Sequence, residues 1–301
     1  MTDHAAHELI DAGGGRRLER FGELIVDRPA PMAEDPPRDP EAWSATDLRF
    51  DRYVGWTSVA DGEPQPWVVE DRDLRFELRP TETGQVGLFP EQAPNRAWIR
   101  RAIADTIASA VPSGVSGDGP PVDAGVIAAP ALSVLNLFAY TGAMTLAAAA
   151  TGATVAHVDG SRPAVAWARH NAELSGLADR PIRWLVDDVE TFVLREIRRG
   201  RRYDAVILDP PSYGHGSRGS TWRLEDRLDP LLDACAELTG DDPVFVLLTA
   251  HTPGFGPDRL AEALAGAFGR RPSEVEAGEL GLQARSGAHL RLGAWTRIIR
   301  E

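Results

Sequence analysis

The stretch Ser133-Val-Leu-Asn-Leu-Phe-Ala-Tyr-Thr-Gly142 is typical of a buried strand that ends in a short loop, and an alanine-rich helix follows over residues 144–150. Strands and helices then alternate to the end of the chain. Strands are predicted at 153–158, 182–186, 203–208 and 244–249, helices at 163–174, 189–199, 222–238 and 257–268, and a closing hairpin at 274–282 and 290–299. This alternation predicts an α/β fold with a doubly wound, mostly parallel sheet.

The part of the chain before this region has a different texture. Proline clusters recur over residues 1–90, and the alternating runs Trp67-Val-Val-Glu and Leu74-Arg-Phe-Glu-Leu predict strands. Residues 94–110 have apolar side chains at helical spacing, and residues 112–130 are rich in Gly, Pro and Ser. We therefore expect an N-terminal β-rich extension over 1–92, a helix and linker over 93–130, and the α/β domain over 131–301.

The composition narrows the class of protein. The chain has 301 residues, of which 43% are hydrophobic and 26% charged, and it contains no apolar run long enough to cross a bilayer. Its beginning lacks the pattern of a secretory signal, so we expect a cytoplasmic protein without a membrane partner. Cys235 is the only cysteine, which excludes an internal disulfide and a cysteine-based metal cluster; no metal is expected. A net charge of -13 disfavours nucleic-acid binding.

The loop after the first strand of the α/β region is a candidate ligand site, because ligands of open α/β sheets bind beyond the carboxyl ends of the strands. The backbone N–H groups of Thr141 and Gly142 can face an anion at the start of the next helix. With only one glycine, the loop suits a smaller anion than a pyrophosphate, such as the methionine carboxylate of S-adenosylmethionine. An ordinary strand–helix turn is the alternative.

Acidic residues follow the next two strands. Asp159 is placed to accept hydrogen bonds from ribose hydroxyls, or it caps the following helix, which Ser161 can also do. Asp187 and Asp188 follow the third strand. A carboxylate here can accept a hydrogen bond from an adenine amino group, or it caps the helix that begins near Val189.

The most specific signal is Leu208-Asp-Pro-Pro-Ser-Tyr-Gly-His215, after the fourth strand. The two prolines stiffen the turn and leave their carbonyls free to accept hydrogen bonds. Asp209 adds an acceptor, and Tyr213 can stack on a planar ring. The set predicts an aromatic base held flat beside a methyl donor. A rigid turn that merely ends a strand explains the prolines alone.

Residues 131–300 resemble the class I S-adenosylmethionine-dependent methyltransferases, and most of all the bacterial group that methylates bases of large-subunit ribosomal RNA. The segments that carry the likeness are Leu135-Asn-Leu-Phe-Ala-Tyr-Thr-Gly142, Val158-Asp159, Val186-Asp-Asp-Val189 and Asp209-Pro-Pro-Ser-Tyr213. Upstream, Phe76-Glu-Leu and the stretch from Gly84 to Arg96 resemble the β-hairpin extension of that group. The likeness covers roughly residues 70–300, and its specificity rests on the order and spacing of the motifs.

The resemblance implies S-adenosylmethionine as cofactor and assigns its contacts. Phe138, Tyr140, Thr141 and Gly142 would line the methionine end, Asp159 would bind ribose, Asp188 adenine, and Asp209 and Pro210 would lie at the methyl-transfer point. Gln85, Asn95 and Arg96 would close over the cofactor. In all, the cofactor-binding residues expected are Asn136, Phe138, Tyr140, Thr141, Gly142, Asp159, Asp187, Asp188 and Asp209. The catalytic residues expected are Asp209, Pro210, Pro211 and Tyr213.

The chain departs from the family pattern at three points. Members that methylate carbon 5 of cytosine use a cysteine, but the loop after the fifth strand is Thr249-Ala-His-Thr252. Members that methylate exocyclic amines have an aromatic residue directly after the prolines, where this chain has Ser212. No RNA-binding domain of the usual kind is evident before residue 70.

These observations predict a methyltransferase that acts on a base nitrogen of RNA, ribosomal RNA foremost, without a cysteine nucleophile; DNA is not expected, and the oligomeric state stays open. The alternatives are a small-molecule or protein substrate, or a nonenzymatic S-adenosylmethionine-binding protein. His215 or His251 can assist as a base, or each is a plain loop histidine. Arg218, Arg223 and Arg227 either contact phosphates or lie on a solvated helix face.

Overall fold

The computed structural model describes residues 6–59, 65–110, 131–215, 221–240 and 242–300. The predicted Gly- and Pro-rich linker, residues 112–130, lies outside the described residues. Within the described ranges, no helix combines the length and the apolar content that a membrane span requires.

The N-terminal part of the chain is β-rich, as predicted. Five strands pair side by side in chain order: β1 (His7–Gly13), β2 (Arg16–Phe21), β3 (Leu24–Pro29), β4 (Leu48–Asp51) and β5 (Gly55–Ser58). All neighbours are antiparallel except β3 and β4, which are parallel. The two predicted strands that follow, β6 (Trp67–Asp71) and β7 (Leu74–Leu78), form a separate antiparallel hairpin. A 3₁₀ turn at Pro90–Gln92 then leads into the first helix.

The rest of the chain alternates strands and helices. In order these are α1 (Ala93–Ala110), β8 (Ser133–Leu137), α2 (Ala143–Ala150), β9 (Thr154–Asp159), α3 (Arg162–Leu174), β10 (Ile182–Val186), α4 (Val189–Arg198), β11 (Ala205–Leu208), β12 (Tyr213–His215), β13 (Thr221–Arg223), α5 (Leu224–Thr239), β14 (Phe245–Ala250), α6 (Pro257–Ala267), β15 (Glu276–Gln283) and β16 (His289–Ile299). Most bounds lie within two residues of the prediction.

Seven of these strands form one sheet in the order β10-β9-β8-β11-β14-β16-β15. The first five are parallel, and β16 runs antiparallel to both of its neighbours. The predicted fold class, a doubly wound and mostly parallel sheet with an N-terminal β-rich extension, is therefore confirmed. Because the chain order reverses between β8 and β11, the loops that follow these two strands diverge and open a crevice at their carboxyl ends.

Apolar side chains cover both faces of the sheet. One core cluster joins it to α4, α5 and α6, and a second joins it to α1 and α2. Every residue of β11 and β14 is buried, as strands covered on both sides require. In α1 the buried residues Trp98, Ile99 and Ile103 recur at helical spacing, which is why this segment forms a helix with one face on the sheet.

The N-terminal sheet packs against the tip of the β15–β16 hairpin. The buried carboxylate of Asp11 accepts hydrogen bonds from the Ser286 hydroxyl at 2.6 Å and the Trp43 indole N–H at 2.9 Å. An apolar cluster from β1 and the segment after β3 meets Ala284, Ala288 and Leu290 beside it. Since β7 also packs on α3, the residues that follow β7 are carried to the carboxyl ends of the central strands.

One predicted helix begins later than expected. Residues 222–238 were expected to be helical, but Thr221–Arg223 forms the short strand β13, which pairs with β12. Helix α5 starts at Leu224. The difference arises from tertiary pairing across a turn, which local helical periodicity does not register.

Candidate active site

A cavity of about 510 Å³ opens at the carboxyl ends of the parallel strands. The loops after β8, β9, β10 and β11 all contribute to its lining. The predicted site residues that it brings together are Phe138, Tyr140, Asp159, Asp187, Asp188, Asp209, Pro210 and Pro211. Residues from four separate loops therefore meet at the edge of the sheet where ligands of this fold class bind.

Asp159 ends β9 and links two of these loops. Its Oδ2 accepts the backbone N–H of Tyr140 and its Oδ1 that of Ser161, each at 2.8 Å. Burial raises the pKa of the Asp159 carboxyl above its usual 3.8, and the two N–H donors oppose the rise. The hydroxyl of Ser161 caps α3 by accepting the N–H of Ala164. The predicted alternative in which Asp159 itself caps this helix is therefore wrong.

Asp188 caps α4, as one of its two predicted alternatives states. Its Oδ1 accepts the backbone N–H of Thr191 at 2.9 Å. Its neighbour Asp187 forms an ion pair with Arg195 at 2.5 Å. Both residues also line the cavity, so capping and a ligand contact are compatible at this position.

Two aromatic residues in the loop after β8 adopt an unusual backbone conformation. Phe138 has φ 55° and Tyr140 has φ 47°, in the left-handed region that side chains other than glycine seldom occupy. The Phe138 ring packs on Trp222 at 5.1 Å, and the Tyr140 ring lies between Phe89 and Trp167. Such strain is maintained only where surrounding contacts enforce it, and it is concentrated at functional sites.

Asn136, Thr141 and Gly142 shape the loop rather than line the larger cavity. Asn136 and Thr141 line an adjoining cavity of about 50 Å³, and Gly142 lines neither one. The Gly142 N–H donates to the Ala139 carbonyl at 3.0 Å, so the prediction that it faces an anion is wrong for Gly142. At φ 88°, a Cβ there would lie 2.9 Å from that of Ala168, which explains the glycine by close packing of α3.

The Asp209-Pro210-Pro211 turn forms one end of the large cavity, and its carboxylate is fixed by donors. Asp209 Oδ1 accepts the Thr249 hydroxyl at 2.7 Å, and Oδ2 lies 3.4 Å from Gln92 Nε2. The amide of Gln92 is oriented in turn by Asn95 Nδ2, 2.8 Å from its Oε1. The carboxylate therefore faces the cavity in one orientation.

Trp222, not Tyr213, supplies the aromatic wall beside this turn. Tyr213 is 55% exposed and does not line the cavity, whereas Trp222 is buried and does. Tyr213 pairs with Arg223 across the β12–β13 ladder, and Gly214 pairs with Trp222. Because successive side chains of a strand point to opposite faces, Trp222 points inward and Tyr213 outward. The Trp222 indole N–H donates to the Pro211 carbonyl at 2.7 Å and braces the turn.

His251 lies beside the carboxylate of Asp209. Its Nε2 is 3.5 Å from Asp209 Oδ1, and its Nδ1 is 2.9 Å from the Leu292 carbonyl and 4.0 Å from Glu91 Oε1. Burial alone would lower the pKa of His251. The carboxylates of Asp209 and Glu91 and the Leu292 carbonyl outweigh it, so that the pKa lies above 6.5. Of the two alternatives stated for His251, the structure favours a site residue.

The upstream segment contributes residues other than those expected. Phe89 lines the large cavity and Gln92 contacts Asp209, although the sequence pointed to Gln85, Asn95 and Arg96. Of these, Asn95 acts through Gln92. Neither of the other two lines the large cavity: Arg96 lines the adjoining cavity of about 50 Å³ and forms an ion pair with Asp71 at 2.6 Å, and Gln85 accepts a hydrogen bond from Arg28. The sequence signal for Phe89 and Gln92 was their position just before the Asn95-Arg96 pair. Which side chain of this segment points to the cavity depends on the turn at Pro90–Gln92.

The sequence also singled out His215, Arg218 and Arg227. Arg218 and the side chain of His215 lie outside the described part of the structure. Arg227 lies 3.5 Å from Glu190 in an ion pair, which favours the solvated-face alternative for that residue.

Comparison with known proteins identifies the class. The family of S-adenosylmethionine-dependent methyltransferases matches residues 126–270. A crystal structure of such a methyltransferase from Agrobacterium tumefaciens is 32% identical with a TM-score of 0.84, and the match covers 100% of this chain and 92% of that one. The chain belongs to the S-adenosylmethionine-dependent methyltransferases.

Two curated relatives of this methyltransferase carry more specific names. The ribosomal RNA large subunit methyltransferase K of Neisseria meningitidis is 32% identical over 117 residues, which cover 36% of this chain and 32% of the relative. The ribosomal RNA large subunit methyltransferase I of Shewanella amazonensis is 27% identical over 160 residues, covering 52% and 34%. The chain thus spans about a third of the length of these relatives.

The cavity suits the methyl donor of this family. S-adenosylmethionine carries an adenine amino group, two ribose hydroxyls and a cationic sulfonium. The lining offers carboxylate acceptors at the ends of β9, β10 and β11, at Asp159, Asp188 and Asp209, and aromatic walls at Phe89 and Phe138. An acidic, partly aromatic lining supplies the hydrogen-bond acceptors and the ring faces that a cationic nucleoside requires.

Proposed function

We propose that this methyltransferase transfers a methyl group to a nitrogen of a base in RNA, ribosomal RNA foremost, in the cytoplasm and without a cysteine nucleophile. The observation that carries the proposal is the Asp209 carboxylate. It is held by Thr249 and Gln92 at the end of the cofactor cavity, with His251 3.5 Å away. An oriented acceptor beside a titratable imidazole is what methylation of an N–H group needs.

The proposal divides the chain as the sequence suggested, with the β-rich extension over 1–92, the helix and linker over 93–130 and the methyltransferase domain over 131–301. In the last part, Asp159 accepts the ribose hydroxyls, and Asp188 with Asp187 receives the adenine amino group. Phe138 and Tyr140 line the methionine end. Asn136, Thr141 and Gly142 support that loop from behind.

The bound cofactor supplies an electrophilic methyl group with a good leaving group. The residues of the chain hold the nucleophile in line with it, within roughly 3.5 Å, and this positioning provides most of the rate enhancement. Pro210 and Pro211 keep the turn rigid, and the Trp222 hydrogen bond to Pro211 restrains it further. Asp209 accepts a hydrogen bond from the N–H of the target base, which turns the nitrogen lone pair toward the cofactor, and the same carboxylate takes up the proton that the nitrogen releases on methylation.

The only cysteine is not placed to act as a nucleophile. Cys235 is fully buried in α5, and burial raises the pKa of its thiol to about 12. At neutral pH the nucleophilic thiolate is therefore absent. The end of β14 and the loop that follows it provide Thr249, His251 and Thr252 instead, which supports nitrogen rather than carbon 5 as the methylated atom.

Support for RNA as substrate comes from the relatives, two of which are named as ribosomal RNA large subunit methyltransferases. The net charge of -13 works against a large nucleic-acid footprint. This acidity favours the second candidate, a small-molecule or protein substrate, and the experiment below therefore includes both.

Methyl transfer from labelled S-adenosylmethionine tests the proposal. Purified enzyme is incubated in parallel with ribosomal RNA, transfer RNA, a protein extract and a small-molecule extract. We expect label in ribosomal RNA, in a base whose methyl group is on nitrogen, as shown by nucleoside mass spectrometry. An Asp209→Asn variant processed alongside should leave the RNA unlabelled. Label confined to protein or small molecules, or a methyl group on carbon, would contradict the proposal.

A further inference from the structure

A second cavity, of about 200 Å³, lies between the N-terminal sheet and the loop that carries His251. It shares Phe89 and His251 with the cofactor cavity, so the two are neighbours across these rings. Part of its wall is apolar, formed by Pro29, Ala30, Pro31, Met32 and Leu292. The polar part is formed by Arg17, Gln85 and Glu91. These polar residues have no role in the methyl transfer proposed above.

Arg17 carries unpaired donors in this wall. Its side chain is 7% exposed, and its Nε and Nη1 have no hydrogen-bond partner among the described residues. Nε lies 3.2 Å from Glu19 Oε2 without the alignment of a hydrogen bond. Both oxygens of Glu19 are instead occupied by the guanidinium of Arg28. Arg17 is thus buried beside a carboxylate that it shares with Arg28, and the N–H groups of its Nε and Nη1 are unsatisfied.

Glu91 carries an unpaired acceptor in the same wall. It is 3% exposed, in the turn Pro90–Gln92, and its Oε2 has no hydrogen-bond partner in the described part of the chain. Its other oxygen, Oε1, lies 4.0 Å from His251 Nδ1. The charges of Glu91 and Arg17 act on one another, yet the two side chains form no ion pair within 4.0 Å.

A buried arginine and a buried glutamate that line one cavity, form no ion pair with each other and each carry unsatisfied polar atoms point to a ligand. Native proteins pair nearly all buried polar groups, because each unpaired one is destabilising. Arg17, which can only donate, and Glu91, which when ionised can only accept, both line this cavity, and together they suit a group that carries both an acceptor and an N–H donor.

We infer that this cavity binds the target base, with Arg17 donating to a carbonyl or ring-nitrogen acceptor on the base edge and Glu91 accepting from an N–H of the same base. The inference rests on the proposed function and adds the pair of residues that recognises the substrate. Glu91, His251 and Asp209 then form a row that leads from this cavity to the methyl-transfer turn, and the N–H groups of the base point along it.

The charges of the wall select a neutral base over a phosphate. A phosphate would gain from Arg17 but would be repelled by Glu91 and by the nearby Glu19. A neutral heterocycle satisfies both residues without bringing net charge into the cavity. The remaining wall, of proline, alanine, methionine and leucine side chains, is apolar as the faces of a base require, and Phe89 lies at the boundary for ring contact.

Direct binding of nucleosides tests the inference without any methyl transfer. Guanosine, adenosine, cytidine and uridine are added separately to the wild-type chain with S-adenosylhomocysteine, and saturation-transfer NMR follows each one. Ribose 5-phosphate serves as the probe for a phosphate site. We expect saturable binding of at least one nucleoside through its base protons and none of ribose 5-phosphate.

Two substitutions that preserve shape then locate the binding. Glu91→Gln weakens the acceptor and Arg17→Lys retains the charge without the guanidinium donors. We expect each substitution to weaken nucleoside binding about tenfold or more, which is the loss typical of a weakened hydrogen bond to a charged group. Glu237→Gln, an exposed residue of α5, is the matched control and should bind as wild type does. Unchanged affinity for S-adenosylhomocysteine and an unchanged melting temperature confirm that both variants fold.

The outcomes separate this inference from the proposed function. Any of three results would overturn the base pocket, even if ribosomal RNA is methylated. These are no nucleoside binding, binding of ribose 5-phosphate equal to that of the nucleosides, and nucleoside binding that neither substitution weakens. Nucleoside binding that depends on Arg17 and Glu91 would support it, even if the labelled methyl group never reaches RNA. If the wild type methylates RNA, both variants should show a KM for RNA about tenfold above that of the wild type and a smaller change in kcat.

Discussion

The imidazole Nε2 of His251 lies 3.5 Å from Oδ1 of the Asp209 carboxylate. Its Nδ1 is 2.9 Å from the Leu292 carbonyl, which only accepts, so Nδ1 carries a hydrogen in both charge states. The proton that titrates is therefore the one on Nε2, and it points at Asp209. The protonation of His251 thus decides whether Asp209 is partly occupied or fully available to the substrate.

From this pair we expect the rate of methyl transfer to rise with pH. The pKa of His251 lies above 6.5, against the effect of burial, because the carboxylates of Asp209 and Glu91 stabilise the imidazolium. Below that pKa the charged ring engages Asp209, and above it Asp209 is free to accept the N–H of the base. A profile of kcat against pH should show this inflection, and His251→Gln should remove it. The same inflection in the variant would assign it to another group.

The same pair also affects the stability of the fold, and this contribution should fall as pH rises, whereas the rate should increase. A histidine whose pKa is higher in the folded than in the unfolded state stabilises the fold below its unfolded pKa, and this contribution is lost as pH rises through the folded value. The difference in unfolding free energy between wild type and His251→Gln should therefore be largest below pH 6.5 and shrink above it. Urea titrations at several pH values measure it.

Asp209→Asn should abolish most turnover while leaving cofactor binding largely intact. The amide keeps the shape of the side chain but loses the negative charge that makes its oxygens strong acceptors for the substrate N–H. We therefore expect kcat to fall about 10²-fold or more. Calorimetry with S-adenosylmethionine should show an affinity close to that of wild type. Asp233→Asn, at an exposed position of α5, is the matched control. Turnover equal to wild type in Asp209→Asn would remove this residue from the mechanism.

Asp188 can be tested for its two contributions separately. Asparagine caps helices as well as aspartate does, whereas alanine does not. We expect Asp188→Asn to keep the melting temperature and weaken S-adenosylmethionine binding, because only the charged acceptor for the adenine amino group is lost. Asp188→Ala should weaken binding and also destabilise the fold by about 1 kcal/mol. Wild-type affinity in Asp188→Asn would leave Asp188 as a cap alone.

What the sequence could predict was local. The strands and helices from β8 onward have apolar patterns longer than the uncertainty of their ends, and the loops after parallel strands must meet at one edge of the sheet. Asp159, Asp188 and Asp209 follow directly from this rule, since each comes within two residues of a strand end. The cap formed by Asp188 is equally local, because its partner lies three residues away.

What the sequence could not predict depends on contacts between distant segments. Trp222 lines the site only because β13 pairs with β12 and turns it inward. Arg17 and Glu91 share a wall because the N-terminal sheet packs on the β15–β16 hairpin, a contact without a local pattern. Gln92 rather than Gln85 reaches Asp209 because of the 3₁₀ turn at Pro90–Gln92. In each case the residue type was visible and its direction was not.

The β12–β13 ladder predicts opposite results for its two aromatic residues. Trp222→Phe removes the indole donor to Pro211, which should destabilise the fold by about 1 kcal/mol and lower kcat through a looser turn. Tyr213→Ala, on the outer face, should leave the affinity for S-adenosylmethionine unchanged. A stacking contact of Tyr213 with RNA stays a prediction, and it would show as a raised KM for RNA alone. Loss of cofactor affinity in Tyr213→Ala would contradict the inward position of Trp222.

Gly87→Ala should uncouple the upstream segment from the methyltransferase core. Gly87 has φ 97°, and a Cβ there would lie 2.3 Å from the ring of the buried Trp167, whose indole is held by the Glu77 carbonyl. The Gly87 carbonyl also accepts the Thr141 hydroxyl at 2.6 Å, so displacement of this segment should disturb the loop after β8 and weaken S-adenosylmethionine binding.

The matched variant for this test is Gly254→Ala, which separates backbone strain from the clash. Gly254 has φ 86° but no atom within 4 Å of an added Cβ, so its substitution imposes the strained backbone alone, about 1–2 kcal/mol. Gly87→Ala adds the displacement of Trp167, and we expect it to lose a further 1–3 kcal/mol, roughly, of unfolding free energy in urea titrations. If the two variants lose equal stability and bind the cofactor equally, the close approach of Gly87 to Trp167 does not anchor the upstream segment.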